Sequence, residues 1–169
     1  MATYLPKNAE ALELYKKLQL AAHPECTGWF VEVYRSSLPV LRSEETRTAL
    51  SSIHFLHDGA RPGHWRELKS DELFVWQQGS SLQISIISPD GHLKELVIGN
   101  ILTDSRAHEY QVAMPANHVF ASRVLDSSSY TLTACVVAPA WTMDDFKSCD
   151  EAEMLARFPQ HAEVIKSYF

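Results

Sequence analysis

The sequence predicts an all-β jelly-roll barrel with one helix before it and short helices after it. Apolar residues follow a helical period before residue 20 and a period of two from Trp29 onward. Between Gly28 and Ala138, about eight short runs rich in β-branched and aromatic residues are separated by turn residues. After Pro139 the pattern turns helical again. A helix, a series of short strands and then helices is the pattern of a β-sandwich or barrel with peripheral helices, and a jelly roll is the commonest way to close its edges.

Asn8 is placed to cap a helix from Ala9 to near Leu20, with Leu12, Tyr15 and Leu18 on one face and Glu13 and Lys17 one turn apart on the surface. The clearest strand runs are Gly28 to Arg35, Thr48 to His57, Glu72 to Gln77, Leu82 to Ser88, Leu93 to Ile98, Tyr110 to Met114, His118 to Val124 and Tyr130 to Ala138. Asp58-Gly59, Gly79-Ser80, Pro89-Asp90-Gly91, Gly99-Asn100 and Asp126-Ser127-Ser128 supply turn chemistry between them and predict consecutive hairpins. The charged stretch Arg42 to Arg47 reads as a solvated loop. Beyond Pro139, Thr142 caps one turn over Asp145, Asp150 caps Glu151 to Arg157, and Pro159 suits the first turn of a last helix.

A length of 169 residues suits a single domain over positions 1–169, and 46% hydrophobic residues suffice for one core. Fifteen basic against 21 acidic side chains give a formal charge of −6, so no sequence-wide positive field exists to hold a nucleic-acid backbone. Met1 to Glu10 lacks a basic region followed by an apolar stretch, and no run of about 18 apolar residues occurs; the expected location is cytoplasmic, with no membrane partner. Cys26, Cys135 and Cys149 are odd in number and lack Cys-x-x-Cys spacing, which argues for reduced thiols and against a structural zinc site. Cys135, inside the apolar run Leu132 to Ala138, reads as a buried inert thiol.

Three stretches resemble one family, the small stand-alone cupins (the fifth cupin group), whose double-stranded β-helix is similar to that of dTDP-sugar epimerases and germins. Near the start stand His23-Pro24-Glu25-Cys26-Thr27-Gly28-Trp29-Phe30 and Tyr34-Arg35-Ser36, where the family has His-Pro-Glu-Gly-Gly, aromatics and Tyr-Arg-Ser. The centre carries Trp65-Arg66, then Ser70-Asp71-Glu72, Phe74, Trp76 and Gly79, where the family reads Trp-His-Arg, Asp-Glu and an aromatic strand ending in Gly. The end carries Val137-Ala138-Pro139, Asp145-Phe146, Glu153-Met154-Leu155 and Phe158-Pro159-Gln160-His161. The resemblance covers most of the chain and implies a barrel that holds a small molecule, and a homodimer; the strand after Gly28 is the candidate for pairing across the two-fold axis.

A metal-binding cupin presents His-x-His, a Glu soon after and a later His, a donor set suited to a divalent transition metal. Here the first set reads His64-Trp65-Arg66 with Glu72 beyond it, and the later one Pro115-Ala116-Asn117-His118-Val119-Phe120. Arg66 has no lone pair to donate, and Phe120 stands where another ligand is expected, so neither a metal nor any other cofactor is expected.

The same positions make a ligand pocket. Arg66 is suited to a carboxylate or phosphate, His64 or His118 to general base work near neutral pH, and Phe74, Trp76 and Phe120 to stacking on a ligand, with Glu72 beside them. His54 and His57 fall on opposite strand faces, so at most one meets the cavity, and the resemblance, in which the family usually has a ring at this position, implies that it is His54. The bland alternative is that the rings fill the barrel and Arg66 and Glu72 form a buried structural pair. The function expected is a metal-independent cupin that binds a small organic molecule, with an anion as the natural partner of Arg66, and isomerises or epimerises it. Its rivals are a non-catalytic ligand-binding or storage-like protein and a metal-dependent oxygenase or lyase built on His64, Glu72 and His118.

Overall fold

Asn8 Oδ1 accepts hydrogen bonds from the amides of Glu10 and Ala11, both at 3.1 Å, and so satisfies two donors that a helix start leaves open. In the computed structural model, which describes residues 4–169, helix α1 accordingly runs Ala9–Lys17. It stops short of the expected end because Gln19 takes a left-handed φ of 54°. The expected Glu13–Lys17 ion pair forms at 2.7 Å on the surface.

Thirteen strands follow: β1 (Ala21–Ala22), β2 (Trp29–Arg35), β3 (Pro39–Arg42), β4 (Glu45–Thr48), β5 (Ser51–Asp58), β6 (Gly63–Leu68), β7 (Asp71–Gly79), β8 (Leu82–Ile87), β9 (Leu93–Ile98), β10 (Gln111–Met114), β11 (Val119–Val124), β12 (Tyr130–Ala138) and β13 (Phe146–Ser148). A 3₁₀ turn at Met143–Asp145 precedes β13, and helices α2 (Glu151–Arg157) and α3 (Ala162–Lys166) close the chain, joined by a 3₁₀ turn at Pro159–His161. Asp150 caps α2 as expected, accepting from the Glu153 amide at 2.7 Å.

One sheet has the order β1-β2-β5-β12-β7-β10, the other β13-β6-β11-β8-β9, and β3-β4 is a separate hairpin. The chain alternates between the two large sheets, which is the jelly-roll path. The expected run of consecutive hairpins is therefore corrected. Pro89-Asp90-Gly91 does turn β8 back on β9, but Asp58-Gly59, Gly79-Ser80 and Asp126-Ser127-Ser128 each carry the chain across to the opposite sheet. A turn residue sets where the chain bends; the burial of both sheet faces decides where it goes next.

Alternation along the strands produces three apolar layers. Phe55, Phe74 and Cys135 from one sheet meet Ile84, Ile86 and Phe120 from the other in the barrel interior. Trp65, Val119 and Ala121 face outward under α2 and α3, against Met154, Phe158, Ile165 and Tyr168. Trp29, Leu56 and Leu132 face outward under α1, where Ala11 is buried. Burying a large side chain of this kind contributes about 1.5–3 kcal/mol.

The Arg42 to Arg47 stretch is not a solvated loop. It forms the turn of the β3-β4 hairpin, and Arg47, 8% exposed, reaches back to Asp145, which is 3% exposed. Arg42 joins the same carboxylate at 2.9 Å. Pairing two guanidinium groups with a distant carboxylate is a tertiary event that the local charge pattern does not encode.

Candidate functional site

The interior opens into a cavity of about 110 Å³, walled by Phe30, Phe55, Phe74, Trp141 and Phe146, with Leu68 and Val137 between them. Exposed Glu32 and Arg35 among its lining residues mark where it reaches the surface. Two charged side chains stand inside it: Arg66 from β6 and Glu72 from β7, 6% and 8% exposed.

These two do not form the structural pair that a purely packed interior would need. Arg66 donates Nη1–H to the His64 carbonyl at 3.2 Å, and its guanidinium lies over Phe120, with 4.4 Å from carbon to ring centre. Glu72 Oε2 is buried with no hydrogen-bond partner among the described residues. Its strand neighbours in register are Met114 and Val137, both apolar. Burial accordingly pushes the Glu72 carboxyl up to about 7, against the opposing pull of Arg66.

His23, from the His23-Pro24-Glu25 motif, also lines the cavity, a role that the motif alone does not indicate. Its Nδ1 accepts from the amides of Glu25 and Cys26 at 3.1 and 3.0 Å, so the ring proton resides on Nε2. Burial first and Arg66 second push its titration down to about 4, and the ring is a neutral donor. The signal for it was the position of His23-Pro24-Glu25 immediately before the aromatic strand β2. Cys26 and Cys135 also line the cavity. Burial pushes the Cys26 thiol up to about 11 and Cys135 up as well, so both are thiols rather than thiolates.

The two histidines expected to act as bases are elsewhere. A β-bulge sets His64 and Trp65 against the single residue Ala121, and strict alternation with Arg66 is lost. His64 instead bonds the Tyr168 carbonyl at 2.8 Å and stacks on Phe169, 5.5 Å between centres. His118 sits in the turn before β11, with Nδ1 3.2 Å from the Ala116 carbonyl, and is not part of the cavity wall.

His54 likewise faces away, with its Nδ1 3.0 Å from Gln77 Oε1, because Ile53 and Phe55 on the same strand line the cavity. The inward histidine is His57, 3.0 Å from Thr133 Oγ1 and 5.6 Å from the Phe74 ring centre. Burial and then Arg66 push it down to about 3. Phe74 lines the cavity as expected. Phe120 supports Arg66 from below, and Trp76 fills the barrel farther along β7, with Nε1 donating to the Ser80 carbonyl at 3.2 Å.

The donor set does not suit a transition metal of the kind cupins hold. Among the described residues, no three His, Cys, Asp or Glu side chains gather in a metal-holding group. The inner cavity presents the Glu72 carboxyl beside a guanidinium, an imidazole whose Nδ1 is already taken by amides and two protonated thiols, and Glu32 at the mouth is paired with Arg35. Among the same residues, no helix is long and apolar enough to cross a membrane.

The family model for the Cupin superfamily (DUF985) matches residues 12–149. A hypothetical protein from Leishmania major is 30% identical, with a TM-score of 0.84 over 95% of this chain and 98% of that one. A protein from Shewanella oneidensis is 32% identical, with a TM-score of 0.81 over 95% of this chain and 96% of that one. A dTDP sugar isomerase from Desulfovibrio desulfuricans shares the fold at 9% identity, with a TM-score of 0.52 over 77% of this chain and 88% of that one. No curated protein matches the chain. Jelly-roll topology, an interior cavity and a family match over most of the length converge, and the chain belongs to the cupin superfamily, in its DUF985 family.

Proposed function

We propose that the barrel binds a small organic anion and moves a proton on it, as an isomerase or epimerase does, without a metal. The observation that carries this reading is that Arg66 and Glu72 face one cavity, both buried, with Glu72 Oε2 lacking a partner among the described residues. A buried guanidinium with free donors is a carboxylate site, and a carboxyl that titrates near neutrality is suited to giving and taking a proton. Glu72 thus replaces His64 and His118 as the acid and base.

The cavity volume is below the roughly 150 Å³ that accommodates benzene. A short organic acid suits it better than a whole sugar nucleotide. Thermal unfolding with and without small carboxylates tests binding: wild-type protein should be stabilised, and Arg66→Met should not respond. Deuterium uptake from heavy water into the bound acid tests catalysis. Exchange that Glu72→Gln abolishes supports proton transfer, whereas binding without exchange makes the protein a ligand carrier.

A further inference from the structure

Of the polar groups that line the cavity, Glu32 and Arg35 pair with each other at the mouth and Ser51 accepts from the Trp141 amide, which leaves Arg66, Glu72 and His23, each requiring a particular partner. Apart from the Nη1 bond to the His64 carbonyl, the guanidinium of Arg66 has no hydrogen-bond partner among the described residues and can hold a planar pair of oxygens. Glu72 is 8% exposed, and its Oε2 lacks a partner among the described residues. His23 presents a neutral Nε2–H, because Glu25 and Cys26 amides occupy Nδ1.

The charges restrict the choice further. Arg66 is the cation inside the cavity, and the next one, Arg35 at the mouth, is held by Glu32 at 2.6 Å. A dianion would face Glu72 with one buried positive charge to answer it. An ammonium group would be placed beside Arg66 in a poorly hydrated space. A hydroxyl both donates and accepts, so it fits Glu72 in either protonation state and can accept from His23 as well. Phe30, Phe55, Phe74 and Trp141 leave a hydrocarbon body as the natural remainder of the ligand.

Building on the anion site proposed above, we infer that the cavity selects a short 2-hydroxy monocarboxylate. Its carboxylate sits on Arg66, its hydroxyl between Glu72 and His23, and its alkyl group against the rings.

Calorimetric titration of the intact protein with 2-hydroxybutyrate, butyrate, 2-aminobutyrate and inorganic phosphate tests this. 2-Hydroxybutyrate should bind, and butyrate about tenfold more weakly or worse, because it leaves a buried polar group unpaired. The amino acid and phosphate should be weaker than the hydroxy acid too. Glu72→Leu should erase the preference for the hydroxy acid over butyrate, while Arg66→Met should abolish the binding of both. The wild-type comparison decides alone if Glu72→Leu does not fold. Equal binding of butyrate, or tighter binding of phosphate or 2-aminobutyrate, overturns the hydroxy-acid assignment and leaves the anion site standing. Silence with all four probes at high millimolar concentration overturns both.

Discussion

The guanidinium carbon of Arg66 stands 4.4 Å from the centre of the Phe120 ring, so a ring face, not Glu72, is what compensates this buried cation. A desolvated cation–π contact is worth about 0.5–2 kcal/mol, whereas breaking a buried ion pair costs about 3–5 kcal/mol. Arg66→Met should therefore change stability by only about 1 kcal/mol in urea denaturation. A loss of several kcal/mol with an unaltered response to carboxylates would mean that the residue is structural.

Burial sets three titrations against one another. His57 and His23 are pushed down to about 3 and about 4, and Glu72 is pushed up to about 7. Below the ordinary histidine value near 6.5, the unfolded chain binds protons that folded His57 and His23 refuse, so their contribution is lost as pH falls. Glu72 has the opposite sign: its contribution is full below the ordinary carboxylate value and lost as pH rises through about 7. Between about pH 4.5 and 6.5, two histidines outweigh one carboxyl, a net loss of about 1.4 kcal/mol per unit of acidification. Denaturant midpoints should peak near pH 6.5. In Glu72→Gln, stability relative to wild type should grow by about 3 kcal/mol from about pH 4.5 to 8.

Asp145 fastens the cavity wall. It accepts from Arg42 Nη2 at 2.9 Å and Arg47 Nη1 at 3.2 Å, and in the chain it lies between the wall residues Trp141 and Phe146. Asp145→Ala leaves Arg47 buried without its carboxylate and should cost about 3–5 kcal/mol. Trp141 fluorescence reports whether the wall loosens with it.

A homodimer is proposed through β2. Strand β1 covers β2 only at Trp29 and Phe30, and among the described residues no strand pairs with Val31 to Arg35 on the edge away from β5. Val33 and Tyr34 are 51% and 56% exposed, and Leu38 and Leu41 in the following segment 68% and 73%. An open edge beside apolar surface is a pairing site. Light scattering should give a dimer mass, and Tyr34→Lys with Leu41→Lys a monomer; a monomeric wild type would contradict the proposal.

Chelators should leave the melting temperature unchanged, because Arg66 occupies a ligand position and the bulge turns His64 outward. Stoichiometric iron, manganese, nickel or zinc surviving dialysis would overturn this.

Local sequence determined much of the molecule. Asn8 and Asp150 cap helices because a short side-chain oxygen satisfies nearby amides, and β7 shows the inward set Glu72, Phe74 and Trp76 because alternation is a property of the strand itself. What the tertiary structure decided is which of several equivalent faces or partners won. Ser52-Ile53-His54-Phe55-Leu56-His57 alternates equally well in either phase, and the burial of Leu56 under α1 sent His57 inward. The bulge opposite Ala121, which turned His64 out and left Arg66 in, depends on strand pairing. So does the reach of Arg42 and Arg47 to Asp145, about a hundred residues away. Contacts over such separations are set by packing, and no short-range pattern records them.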